Sequence, residues 1–111
     1  MNTAVFEMPD LLSRAGRSGE RYVEFLRVPA LSAGLYRLPR GASDGQSPHR
    51  EDEVYYVAAG RAAMTVGDEE HAVRAGSVVY VRAGVLHRFH DITEDLSLLV
   101  LFAPAETTAA C

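Results

Sequence analysis

Lysine is absent from this sequence, and its eleven cationic side chains are all arginines spread along the chain. Without a lysine amine, Schiff-base chemistry and lysine general-base catalysis are excluded. The net charge is -4, and no arginine cluster forms the basic surface that nucleic-acid binding requires. We therefore expect no nucleic-acid partner.

Cysteine is nearly absent as well. The only one, Cys111, is the last residue, so the sequence offers neither an intramolecular disulfide nor a thiolate cluster for a metal. No apolar run approaches the length that crosses a membrane, and the first residues lack the charged and apolar regions of a secretory leader. We expect a cytoplasmic protein with no membrane contact, and an extracellular location stays open on these grounds.

The length of 111 residues suits one domain with a single core. Residues 1–20 are predicted to form an N-terminal extension, a short helical turn or coil with Asp10 as a possible cap and breaks at Gly16 and Gly19. Residues 21–104 are predicted to form the folded domain, and residues 105–111 a flexible C-terminal tail. The folded part consists of short alternating runs such as RYVEFLRV, EVYYV and GSVVYV, separated by glycine and proline. This pattern predicts an all-β sandwich or barrel.

Two histidines and one glutamate fall where strand alternation would turn them inward. His49 and Glu53 share a parity leading into VYYV, with Tyr55 behind them, and His87 shares its parity with the apolar Val85 and Phe89. If the two segments meet, the three side chains form a set of two imidazoles and one carboxylate. That set suits a divalent first-row metal and leaves coordination positions open. The alternative is that His49 and Glu53 lie at a solvated loop end, paired with each other or with a neighbouring arginine.

The other titratable and aromatic side chains receive structural interpretations. His71 is expected on a strand surface, and His90 faces outward because its parity is opposite to that of His87. Tyr55 and Tyr56 are expected to face opposite sides of the sheet, and the inward one is a possible pocket residue. Five further large side chains are expected mostly to line the interior: Phe25, Tyr36, Met64, Phe89 and Phe102.

The spacing around the first histidine resembles a motif of the cupin superfamily, small antiparallel β-barrels of the jelly-roll type. That motif is G(X)5HXH(X)3-4E(X)6G, and the matching positions are Gly41, Ser47, His49, Glu53 and Gly60. Serine occupies the slot of the first histidine. The resemblance spans roughly residues 30 to 103 and implies a single-domain cupin of the small bacterial type.

The second cupin motif, G(X)5PXG(X)2H(X)3N, follows in register. Gly76, Gly84 and His87 match it, whereas Arg82 stands for the proline and Asp91 for the asparagine. The resemblance implies that His49, Glu53 and His87 are metal ligands.

The serine in the first motif leaves a fourth metal ligand open. Ser47 offers only a neutral hydroxyl, whereas Gln46, one residue earlier, carries a longer side chain with a carbonyl oxygen. Gln46 is the preferred candidate, and Ser47 or water are the alternatives. The expected ion is a divalent first-row transition metal: Fe(II), Zn(II), Ni(II) or Mn(II).

This ligand set mildly favours a metal-dependent dioxygenase that acts on a small anionic, enolizable or phenolic substrate. A redox-neutral metal-dependent isomerase, cyclase or lyase is the second interpretation, and a non-catalytic small-molecule-binding cupin is the third. The alternating segment YVEFLRV could pair with a second subunit, and small cupins are commonly dimeric, so a homodimer is expected.

Overall fold

A computed structural model describes residues 2–45 and 48–107. One helix precedes six strands in these ranges: α1 Met8–Ser18, β1 Tyr22–Val28, β2 Leu31–Leu38, β3 Asp52–Val66, β4 Glu69–Arg74, β5 Val78–Val81 and β6 His87–Ala103. The predicted all-β class is confirmed. The segments HRFHDI and LSLLVLFA, which could be read as two strands, form the single long strand β6.

All strand pairs are antiparallel, in the order β1-β2-β6-β3-β4. The strand β5 pairs with the first half of β3, whose second half pairs with β4. The long strands β3 and β6 run side by side from the pair Asp52 and Ala103 to the pair Val66 and His87. Pairings in the described ranges do not join β4 back to β1, so the sheet is not closed.

Bulges in β3 and β6 keep both strands facing the same core. The buried positions of β3 change from odd to even numbers after Gly60, and those of β6 change after Asp91. Both bulge residues have positive φ, 100° at Gly60 and 48° at Asp91. A Cβ atom on Gly60 would lie 2.3 Å from the carbonyl oxygen of Asp95, so only glycine fits there. Each bulge shifts the alternation of its strand by one residue. The residues beyond the bulge therefore still turn their apolar side chains toward the core.

The main core fills the inner face of this sheet, and the predicted lining residues Tyr36, Met64, Phe89 and Phe102 all lie in it. The prediction for Phe25 was wrong. It packs with Leu11, Ala15 and Leu35 in a second cluster on the outer face, under α1. Phe25 lies at the register shift in β1 between Glu24 and Leu26 and faces the same cluster as Val23, two residues before it.

The helix α1 is longer than the predicted turn or coil. Asp10 lies in its first turn and does not cap it, because the N-cap position is Glu7 and makes no side-chain hydrogen bond. The helix continues through Gly16 and ends at Gly19, whose φ of 73° gives a left-handed C-cap. A helix of this length is only marginally stable alone, so packing on the sheet stabilises it. Local sequence does not record that packing.

The strand β1 stands at one end of the sheet order. Four large side chains are also exposed on the outer face of the sheet: Tyr56, Val78, Tyr80 and Leu101. The homodimer stays a prediction, which a monomeric mass from light scattering at high concentration would contradict.

None of the helices in the described part of the chain is long and apolar enough to cross a membrane.

Candidate metal centre

Strand alternation in β3 carries Glu53 and Tyr55 to the inner face. Both side chains are buried, and Tyr56 next to Tyr55 lies on the outer surface. Because residues two apart on a strand point the same way, the carboxylate and the phenol share the interior. The predicted split of the two tyrosines is therefore observed, with Tyr55 as the inward one.

His49 lies just ahead of β3, in the loop that follows β2. Its side chain is buried, and its backbone oxygen accepts a 2.8 Å hydrogen bond from the backbone N–H of Gly84. Gly84 sits in the turn before His87 and has a φ of 80°. This bond ties the loop of the first motif to the loop of the second.

His87 is the first residue of β6, and its ring is fixed by its own loop. Its Nδ1 lies 2.8 Å from the carbonyl oxygen of Val85, which can only accept, so Nδ1 carries a proton. Its Nε2 then faces the interior, 3.1 Å from Oε1 of Glu53 and 3.0 Å from the hydroxyl of Tyr55.

The three predicted ligands converge in space. Oε1 of Glu53 lies 3.7 Å from Nε2 of His49 as well as 3.1 Å from Nε2 of His87. One ligand atom from each residue lies within 4.8 Å of the others, and the three side chains are only 1–2% exposed. The alternative of a solvated loop end does not hold, because neither His49 nor Glu53 reaches the surface.

The donor set fits a divalent ion. A metal-binding histidine usually gives its other ring N–H to a fixed acceptor. His87 does so to Val85, and Nδ1 of His49 lies 3.0 Å from Oε2 of Glu106. Oε2 of Glu53 is buried and has no hydrogen-bond partner among the described residues. A buried, unpaired carboxylate oxygen is costly, and coordination of a cation would remove that cost.

The two histidines differ in their basicity. Burial lowers the pKa of His49 below its ordinary value, and the nearby charge of Glu53 only partly offsets this effect. Burial also acts to lower the pKa of His87, but hydrogen bonds to Glu53 and to the Val85 carbonyl outweigh it, so the pKa is raised. In the metal-free protein, His87 is therefore the histidine that more readily holds a second proton, on the nitrogen that faces Glu53.

Two further buried carboxyl groups adjoin the site, and sequence analysis missed both. Glu106 is 4% exposed, and burial together with the charges of Glu51 and Glu53 raises its pKa to about 7. Glu51 is also buried, and its Oε2 accepts hydrogen bonds from the backbone N–H and the hydroxyl of Thr107. Glu51 lies among charged residues in sequence, and Glu106 follows the last strand, so no periodic pattern marks either.

A family model of the cupin domain matches residues 34–102. This range includes the cluster of His49, Glu53 and His87 and leaves out Glu106. The chain belongs to the cupin family.

The chain is also similar to individual proteins. The chain is 50% identical over 102 residues to the uncharacterized protein SCO3923 of Streptomyces coelicolor, covering 92% of this chain and 97% of the relative. Among solved structures, TT1209 from Thermus thermophilus has a TM-score of 0.75 at 24% identity, covering 93% of this cupin and 99% of that chain. The DMSP lyase DddQ from Ruegeria pomeroyi has a TM-score of 0.66 at 21% identity, and the match covers 75% of this chain and 47% of that chain. At these identities the solved structures show the fold alone.

The remaining histidines of this cupin lie outside the cluster. His71 is half exposed, and its Nε2 lies 3.4 Å from Glu69. His90 contacts the carboxylates of Asp91 and Glu70 and the hydroxyl of Thr65, on the other face of β6 from His87. Gln46 and Ser47, the candidates for a fourth ligand, lie outside the described residues.

A buried aspartate, Asp44, fixes the loop that leads to these two positions. Its Oδ1 accepts a 2.6 Å hydrogen bond from the hydroxyl of Tyr36, and its Oδ2 accepts one of 2.9 Å from the backbone N–H of Phe89. The loop is thereby joined to β2 and β6. Sequence analysis did not single out Asp44, because an aspartate between serine and glycine is typical of an ordinary turn.

Proposed function

We propose that this cupin is a metal-dependent enzyme whose ion is held by His49, Glu53 and His87. The observation that carries the proposal is the convergence of two Nε2 atoms and one carboxylate in a buried space, with an oxygen of Glu53 left unpaired. Fe(II), Zn(II), Ni(II) and Mn(II) all suit such a mixed nitrogen and oxygen set.

The first reaction proposed is dioxygenation of a small enolizable or phenolic substrate. When bound, the ion would supply Lewis acidity and, if it is iron, a site for dioxygen. The protein contributes three ligands on rigid elements and a buried apolar wall that includes Phe102, whose ring centroid lies 4.9 Å from that of His49. A six-coordinate ion with three protein ligands would leave three positions, enough for dioxygen and a substrate that chelates through two oxygens. With a fourth protein ligand, two positions would remain, enough for dioxygen and one substrate oxygen.

The buried charges change what that substrate can be. A dication and Glu53 alone would leave one net positive charge, which would favour anions. Glu51 and Glu106 add two buried carboxyl groups, and burial, followed by the charges of Glu51 and Glu53, raises the pKa of Glu106 to about 7. We therefore favour a substrate that arrives neutral or as a monoanion over one that carries two negative charges.

A redox-neutral isomerase, cyclase or lyase is the second candidate, and Tyr55 is the observation that favours it. Its hydroxyl is buried and lies 3.0 Å from Nε2 of His87. A phenol beside the reacting atoms can donate or accept a proton, and an elimination or isomerisation depends on such a transfer in its bond-breaking step. Tyr55→Phe should abolish such a reaction while metal content is retained, and Tyr56→Phe on the outer surface is the matched control.

Elemental analysis of protein purified without added metal is the first test. Oxygen uptake by the iron-loaded protein with a panel of catechols and β-diketones then separates the candidates. Uptake coupled to substrate loss supports the dioxygenase, and turnover under anaerobic conditions supports the redox-neutral reaction. Ligand binding without turnover under either condition would show a binding protein, and a metal-free pure protein that binds no added ion would overturn the proposal.

We also propose Gln46 as a fourth ligand. This follows from its sequence position, next to the residue in the first-histidine slot of the cupin motif. Gln46→Ala should weaken metal affinity and alter the absorption spectrum of a cobalt-substituted sample, whereas Ser47→Ala should not. Unchanged affinity and spectrum in Gln46→Ala would assign the position to water.

A further inference from the structure

The chain folds back over the metal centre after β6. The segment 104–107, which we call the strap, leaves the sheet at Pro104 and lies against the turn between β1 and β2. Sequence analysis placed residues 105–107 in the C-terminal tail, but Ala105 and Glu106 are buried. The strap lies outside both cupin motifs and outside the range that the family model matches.

Polar contacts anchor the strap on both sides of Glu106. The backbone N–H of Glu106 donates a 2.9 Å hydrogen bond to the hydroxyl of Ser32, and its carbonyl oxygen accepts one of 2.8 Å from the guanidinium of Arg27. The next residue, Thr107, donates from its backbone and its hydroxyl to Glu51. With the backbone held before and after the side chain, the position of the carboxyl group is set by the fold.

The carboxyl group held in this way reaches the side of the His49 ring that faces away from Glu53. Its Oε2 lies 3.0 Å from Nδ1 of His49, whereas Oε1 of Glu53 lies 3.7 Å from Nε2 of the same ring. The contact of Glu106 is a close charge contact and not an aligned hydrogen bond, since Oε2 has no hydrogen-bond partner among the described residues. A carboxylate at this distance favours the tautomer with its proton on Nδ1.

We propose that Glu106 is a positioning residue, which holds the His49 ring with its proton on Nδ1 and its Nε2 lone pair directed at the metal position. The role matches that of the Val85 carbonyl on His87, except that the acceptor is a side chain and can be removed by mutation. The inference deepens the proposed function, but its first test needs no metal.

The first test reads the tautomer of His49 directly. Long-range proton–nitrogen correlation spectra of chelator-treated protein, recorded at pH 8 so that Glu106 is ionised, should show His49 protonated on Nδ1. In Glu106→Ala the population should move toward the Nε2–H form. The control Glu94→Gln removes an exposed carboxylate that pairs with Arg61 and should leave the spectrum of His49 unchanged.

The second test measures metal affinity by competition with a chromogenic chelator. Loss of an outer hydrogen-bonding partner typically lowers metal affinity about 10- to 100-fold, and we expect this for Glu106→Ala. Glu106→Gln should lose less, because its amide oxygen keeps a partial negative charge near the Nδ1 proton. Ser32→Ala, which loosens the strap and keeps the carboxyl group, should fall between Glu106→Gln and the natural protein.

The outcomes separate the two proposals. If the natural protein binds no metal but the tautomer shifts in Glu106→Ala, the proposed function fails and the role of Glu106 stands. If metal binds and neither tautomer nor affinity changes in Glu106→Ala, Glu106 has no positioning role. Should Glu106→Ala fail to fold, Glu106→Leu takes its place, since it keeps the bulk of the side chain and removes both oxygens. An unchanged tautomer together with unchanged affinity in that variant would overturn the inference.

Discussion

Oε1 of Glu53 lies 3.1 Å from Nε2 of His87, although the two residues belong to different strands and to different sequence motifs. The strands β3 and β6 pair along their length, but Glu53 lies opposite Phe102, and Val66 lies opposite His87. The contact therefore crosses the interior of the curved sheet and does not follow the ladder. Glu53 also pairs with Val81, the last residue of β5, and the short connection after β5 leads directly to His87.

Removal of the Glu53 charge should abolish metal binding. Glu53→Gln keeps the size of the side chain but replaces an anionic ligand with a weak neutral one, so the metal content of purified protein should fall to near zero. Elemental analysis per protein chain measures this. Glu70→Gln is the control, because Glu70 is exposed and contacts His90 outside the cluster. Equal metal content in both variants would contradict the assignment of Glu53.

Metal binding should release a proton near neutral pH. The raised pKa of His87 means that, in part of the metal-free molecules, a proton occupies the nitrogen that a metal needs. Titration calorimetry in two buffers of different ionisation enthalpy should give different apparent heats, and the release should diminish as the pH is raised. Identical heats in both buffers at about pH 6.5, the ordinary pKa of histidine, would show that no proton leaves.

The stability of the metal-free protein should fall as pH rises. The pKa of Glu106 is raised from 4.5 to about 7 in the folded state, so between these values the folded state binds more protons than the unfolded state. Its contribution to the free energy of unfolding is therefore largest at low pH and is lost as the pH rises through about 7. Urea unfolding of chelator-treated protein at pH 5, 6, 7 and 8 measures the slope. Glu106→Gln cannot ionise and should flatten it, whereas an unchanged slope would mean that Glu106 is not the group responsible.

The bulge at Gly60 should not tolerate a side chain. In Gly60→Ala the added Cβ meets the backbone of Asp95, and the backbone also holds a positive φ. Gly76→Ala is the matched control, since its φ of 96° is similar and nothing lies within 4 Å of the added atom. Overpacking should make the loss of unfolding free energy about 1–3 kcal/mol greater in Gly60→Ala than in Gly76→Ala. Equal losses in urea unfolding would show that the neighbouring strand can move away.

Much of the site could be predicted because its information is local. The parity of Glu53 and Tyr55 follows from strand alternation, and the glycine and histidine intervals match both cupin motifs. The burial of His87 was predicted from its apolar neighbours of equal parity. Such features depend on residues a few positions away, which sequence spacing records directly.

Other parts of the fold could not be predicted from local sequence patterns. The helix α1 depends on contact with the outer face of β2, through Leu35, more than on its own propensity. Phe25 packs in the other cluster because α1 covers the outer face of β1, and no local pattern shows that this face is covered. These features follow from contacts between distant segments, which a local pattern cannot express.

By itself the sequence determined the all-β class, because alternation acts along the chain, and its resemblance to the two cupin motifs indicated the three side chains that meet. Only the tertiary structure decided that Glu106 returns from beyond the last strand to His49, and that Glu51 is buried beside it. Ser32 and Arg27 hydrogen-bond the backbone of Glu106, and Thr107 donates to the carboxylate of Glu51, so each bond joins residues that lie far apart in sequence. Long-range contacts of this kind arise only once the chain has closed around its core.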